Sequence, residues 1–159
     1  MKRKKNMPLW LSMVFSLITC AVGLGTVLAY DYATEAMGEE IRTEKVTDLV
    51  IQRTEAMNGY FAGEIEYLHA SEQLQDIETG DLLEEDIASL KAYERTDIEI
   101  IEKYEITEVT MLQQDGDGMT AKITVDWTVR GIGGLDEFSA TYDVMCEKQG
   151  EALKLVEFF

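Results

Sequence analysis

One proline, one histidine and two cysteines are all that this 159-residue chain holds of three residue types that organise many small folds. A single Pro with mean hydropathy near zero excludes a proline-rich disordered stalk. Cys20 lies inside a long apolar run and Cys146 near the C-terminus, so the two do not pair within one chain. The fold therefore closes without a disulfide and is not a stapled secreted scaffold. His69 has no second His and no Cys nearby, whereas zinc takes three or four such ligands. Ser71 stands two residues on, the wrong helical spacing for a shared face, which disfavours a nucleophile–base pair. No strand–glycine loop–helix phosphate signature occurs either: Gly131 to Gly134 lies between strands, with no helix N-terminus to offer. Carboxylate pairs such as Glu84/Glu85 and Asp97/Glu99 are too numerous to single out an acid–base dyad. The pattern implies no cofactor, no metal and no catalytic residue.

Cations are scarce as well. Lys and Arg number 14 against 31 Asp and Glu, for a net charge of −17, and Lys2, Arg3, Lys4 and Lys5 precede every acid. The chain beyond them is thus strongly acidic, which disfavours nucleic acid or an anionic lipid surface as partner. Basic proteins, cationic peptides or divalent cations are attracted instead.

What is present begins with that basic cluster and the uncharged run from Met7 to Tyr30 behind it. About 20 apolar residues cross a bilayer as a helix. The cations stay cytoplasmic, so everything after Tyr30 is expected outside the membrane. Cleavage after Val27-Leu28-Ala29 competes with this, but the apolar core from Leu9 to Leu28 exceeds the ~7–15 residues of a signal peptide. Lipidation at Cys20 competes too, against a bulky Thr19 and a chain that stays apolar well past the cysteine. A retained single-span anchor is the better reading. Ala21, Gly25 and Ala29 recur every four residues, a stripe that lets two membrane helices approach closely and dimerise. The expected organisation is a cytoplasmic basic tail over 1–6, a signal-anchor over 7–30, a juxtamembrane helix over 31–57 and an extracytoplasmic α+β domain over 58–159.

Helical periodicity runs through Val46, Leu49, Val50 and Met57, with Asn58-Gly59 as its stop signal. A second helical stretch extends from Tyr60 to about Ile77 through Phe61, Ile65, Leu68 and Leu74, and Thr79-Gly80-Asp81 breaks it. A third runs from Leu82 to about Tyr104 through Leu83, Ile87, Leu90, Ile98 and Ile101, as one helix or two. After Tyr104 the period falls to 2. Ala121, Ile123, Val125, Trp127 and Val129 alternate with polar residues, as do Phe138, Ala140, Tyr142, Val144 and Cys146, which predicts half-buried strands. Ile106–Leu112 and Leu153–Phe158 add a strand on either side. The expected fold class is α+β: two to four helices packed on a four-stranded antiparallel sheet, behind an N-terminal transmembrane helix.

Asp115-Gly116-Asp117-Gly118 looks like the start of a calcium loop, but Met119 and Thr120 occupy its fifth and sixth positions and begin a strand. A hairpin turn is the better account. Cys146 has the apolar parity of its strand and reads as a buried structural thiol. Trp127, Phe138, Tyr142 and Phe158 share the inner face of the sheet, where they either line a ligand pocket or fill a small core.

Helices leading into an antiparallel meander, with Lys122-Ile123-Thr124-Val125-Asp126-Trp127 and Leu153-Lys154-Leu155-Val156 as the most typical segments, resemble the nuclear transport factor 2-like superfamily. The resemblance covers roughly Val46 to Phe159. It implies a cone-shaped α+β domain behind a single bacterial membrane anchor. The superfamily usually places a short strand between its early helices, which this sequence does not display. Some members are isomerases or dehydratases, but no position here matches their Asp, His and Tyr. The expected function is therefore non-catalytic: docking of an envelope protein partner or a second copy, or, as the alternative, binding of a small ligand on the concave face of the sheet.

Overall fold

The computed structural model describes Glu40 and residues 42–92 and 99–159. The chain divides into Met1–Glu40 and Ile41–Phe159, and all that follows belongs to the second unit. The expected span Met7–Tyr30, with Ala21, Gly25 and Ala29, lies outside the described residues, as does Asp97. No helix among the described residues is long and apolar enough to cross a membrane.

Three helices pack with a four-stranded antiparallel sheet. Helix α1 covers residues 42–61, α2 Tyr67–Ile77 and α3 Gly80–Ala92. The strands are β1 Ile100–Asp115, β2 Gly118–Gly131, β3 Gly134–Gln149 and β4 Ala152–Phe158, paired in the order β1-β2-β3-β4. Each connection between strands is a tight hairpin. Gly116 sits between β1 and β2 with a positive φ of 57°, so Asp115-Gly116-Asp117-Gly118 forms the expected hairpin turn.

Period-2 alternation gives β2 its two faces. Ala121, Ile123, Val125, Trp127 and Val129 are buried, while Lys122, Asp126 and Arg130 between them are exposed. The buried row forms one core with Val46, Leu49 and Val50 of α1, Ala70, Leu74 and Ile77 of α2, Leu82 and Leu90 of α3, and Leu155 of β4. Each fully buried aliphatic side chain contributes about 1.5–3 kcal/mol.

Three expectations change. The helical stretch expected from Tyr60 to Ile77 begins only at Tyr67, because Tyr60 and Phe61 belong to α1, and Leu68 is exposed and not part of the apolar stripe. Asn58-Gly59 does not stop α1, which continues to residue 61. The stop is Gly63, at φ 78°, with Gly63 N–H donating to Tyr60 O and Glu64 N–H to Gly59 O, the paired bonds of a Schellman end. Asn58 instead turns its amide sideways and clasps β1. It donates to Ile101 O at 3.0 Å and accepts from Ile101 N–H at 2.8 Å. Asn58→Ala should cost about 1–3 kcal/mol, because both Ile101 backbone groups lose their partner. Faster exchange of the Ile101 amide, ahead of the sheet centre, would report it.

The third helix is described as far as Ala92 and does not reach Tyr104, since Ile100 already belongs to β1. The cause is irregular pairing. β1 slips against β2 between Ile101 and Lys103, between Ile106 and Glu108, and between Met111 and Gln113. A bulge inserts one residue, so inward-facing apolar residues fall three apart at Ile101/Tyr104 and Ile106/Val109 and imitate helical spacing.

Candidate functional site

At one end of the inner face the core does not close. Ile101, Trp127, Val129, Phe138, Tyr142 and Phe158 from all four strands, with Arg53, Thr54 and Met57 of α1, surround a cleft of about 300 Å³. Strand register assembles its aromatic wall: Trp127 faces Phe138 across β2–β3, and Val144 faces Phe158 across β3–β4. The rings form a continuous chain. Tyr104 and Trp127 lie 6.0 Å apart, Trp127 meets Tyr142 edge-on at 6.2 Å, and Tyr142 stacks on Phe158 at 4.6 Å. Such contacts add about 0.5–1.5 kcal/mol each beyond burial.

The four aromatic residues singled out in the sequence thus share one cleft, but differ in burial. Trp127 is 8% exposed, Tyr142 and Phe158 are half-buried, and Phe138 is 47% exposed on the rim. The indole Nε1 of Trp127 is buried without a hydrogen-bond partner. Tyr104 lies on the neighbouring strand and donates its hydroxyl to Glu55 of α1 at 3.2 Å. Burial first, and the Glu55 charge second, raise its pKa above 10.0.

Behind this cleft stands a buried charge cluster that sequence reasoning missed. The Arg53 Nε lies 2.8 Å from Asp86 Oδ2 and 3.1 Å from Glu78 Oε1, and its Nη2 donates to Asp86 Oδ1 at 2.8 Å. The Glu78 side chain is fully buried, and its carboxylate receives no well-directed hydrogen bond although the guanidinium is close. Burial, and then the neighbouring Asp86, push its pKa from 4.5 to about 8 against the opposing pull of Arg53. Burial and the Asp86 carboxylate thus favour the protonated form of Glu78, and Arg53 makes its hydrogen bond to Asp86. The guanidinium also sits over the Phe158 ring, 4.6 Å from its centroid, which joins the cluster to the cleft.

Local sequence placed each member. Asp86 lies midway between Leu82 and Leu90 on the buried stripe of α3, at four-residue spacing. Glu78 follows Leu74 by the same four residues. It ends α2 and bridges Leu155 in parallel, the one point where the chain between α2 and α3 touches the sheet as a strand would. An acid on an apolar stripe was the available signal.

Other candidates carry less. A hollow of about 360 Å³ lies between Lys103, Glu105, Asp126, Thr128 and Glu137 on the wet face, walled chiefly by charged and polar side chains. His69 is exposed on α2. Cys146 is fully buried with its thiol pushed up to about 12 by burial, so it is inert as a nucleophile. Among the described residues no group of His, Cys, Asp or Glu side chains is placed to hold a metal ion.

Fold and cleft together define an α+β domain with an aromatic-lined recess between its first helix and its sheet. The chain is similar to the crystal structure of the intermembrane space region of the chloroplast protein ARC6, with a TM-score of 0.48 and 13% identity over 74% of this chain and 94% of that one. No family model and no curated protein matches the sequence.

Proposed function

We propose that this chain is a non-catalytic docking module of the cell envelope, held by a single N-terminal membrane span and folded as a nuclear transport factor 2-like cone. The domain binds an extracytoplasmic protein through the aromatic cleft. The observation that carries this reading is the rim position of Phe138: a large ring 47% exposed beside an almost fully buried Trp127. Aromatic anchors of that kind dominate the energetics of protein interfaces. The acidic surface selects a basic partner over nucleic acid or an anionic membrane. A small-ligand receptor is the second reading, and the cleft, at about 300 Å³, stands at the lower end of pocket sizes for that role.

Crosslinking of the full-length protein in its native membrane, followed by mass spectrometry, tests the proposal. Phe138→Ala should weaken capture of a specific partner by about 1.5–3 kcal/mol, roughly tenfold to a hundredfold. The fold should survive, because so much of the ring faces solvent. Undiminished capture by the folded variant, or no partner at all, would end the docking reading.

A further inference from the structure

β3 is longer than the strand that covers its outer edge. It pairs with β2 in unbroken register from Gly134 to Glu147, but β4 reaches it only from Val144 to Gln149. One more pair of bonds, between Asp143 and Phe159, extends that contact: Asp143 N–H donates to Phe159 O at 2.7 Å, and Phe159 N–H donates to Asp143 O at 3.1 Å. This fixes the phase of the edge. Asp143 points its backbone groups outward, so Thr141, Ser139, Glu137 and Leu135 do the same in a strand without bulges. Their N–H and C=O groups have no backbone partner among the described residues. Residues Gly134 to Ser139 are exposed, as is Thr141. Phe138 and Tyr142 alternate with this row and face the aromatic cleft.

We infer that the outer edge of β3 from Leu135 to Thr141 accepts an extended basic segment of a partner protein as an added antiparallel strand, in line with β4 and beside the cleft. This rests on the docking reading and supplies its geometry. The slot is about 20 Å long at ~3.3 Å per residue. An added strand completes the ladder and lays every second side chain against Phe138 and Tyr142, the combination that gives affinity and specificity in strand addition. Charge decides the occupant. Asp136 and Glu137 lie side by side on the edge, one on each face of the sheet, in a chain of net charge −17. A second copy would bring the same acids and the same net charge to the edge, whereas adjacent Lys and Arg residues on a partner meet both carboxylates. The opposite edge does not compete, since β1 is interrupted by three bulges that spoil a straight ladder.

The probe is a synthetic capped peptide, Thr-Val-Thr-Val-Lys-Arg-Val, added up to millimolar concentration to the full-length chain in lipid nanodiscs. Amide hydrogen exchange is read residue by residue. The expected result is an alternating pattern: amides of Leu135, Glu137, Ser139 and Thr141 slow by about tenfold or more, while Asp136, Phe138 and Ala140, already bonded to β2, do not change. N-methylation of the peptide at alternate residues should abolish the effect. Asp136→Asn with Glu137→Gln should weaken it about two- to tenfold. Absence of the alternating protection overturns strand addition. Protection that instead grows with protein concentration, without peptide, assigns the edge to a second copy and overturns the partner. If Phe138-dependent crosslinking persists while these amides stay unprotected, strand addition falls and the docking reading stands.

Discussion

Arg53→Met should cost the domain about 3–5 kcal/mol at pH 7, a large share of the ~5–15 kcal/mol that holds a typical domain together. Methionine keeps the unbranched stem as far as the position of Arg53 Nε, so most of the packing survives and the loss is mainly electrostatic. Asp86 is 5% exposed; its Oδ1 accepts a hydrogen bond from Arg53 Nη2 at 2.8 Å, and its Oδ2 lies in ion contact with Nε at 2.8 Å without a well-directed bond. Without the guanidinium, a carboxylate remains buried among Leu82, Leu90 and a second acid. Arg53→Lys should recover only part of the loss, because an ammonium cannot make the two-pronged contact. Arg53→Met combined with Asp86→Leu should recover most of it, since an apolar pair replaces a buried ion pair at little net cost. Urea unfolding of wild type, Arg53→Met, Asp86→Leu and the double variant in detergent gives the cycle. A single-variant loss below about 1 kcal/mol would mean that Asp86 finds water, and the buried-pair account would be wrong.

The difference between what the sequence disclosed and what it concealed follows from the same residues. β2 was legible because five inward positions from Ala121 to Val129 keep a strict period of 2 and pair with β3 without a slip. β1 was not, since its three bulges convert that period into a mixture of two and three, and a window centred on Ile101 matches a helix equally well. Asn58-Gly59 misled for a different reason. Its turn propensity is local, while the two bonds to Ile101 come from 43 residues away.

The cleft was half legible. Parity alone put Trp127, Phe138 and Tyr142 on one face, but whether they close a core or leave a recess depends on where α1 crosses them. Arg53, Glu78 and Asp86 were concealed because each sits in a stretch rich in acids, where one buried carboxyl looks like its solvated neighbours. The uncovered edge of β3 was hidden as well: among the described residues β4 pairs with it only from Val144 to Gln149.

Glu78→Gln should stabilise the protein, by an amount that depends on pH. In the unfolded chain this carboxyl loses its proton near its ordinary 4.5, while in the folded domain it holds the proton up to about 8. Folding therefore takes up a proton between those values. The favourable contribution of a raised pKa is fully present below 4.5 and is lost as pH rises through about 8, with a slope near 1.4 kcal/mol per pH unit. Glutamine keeps the shape and an amide donor toward Asp86 but takes up no proton. Wild type and variant should thus unfold alike near pH 4.5, with the variant ahead by about 2–4 kcal/mol at pH 8. Denaturant midpoints measured across that range decide the matter. A constant difference between the two proteins would show that Glu78 is ionised in the folded state, with Arg53 shared between two carboxylates. The Arg53→Met loss would then be larger than with Asp86 alone to leave unpaired, and the recess would be walled by a net negative cluster, one that repels anionic ligands and leaves the basic partner in place.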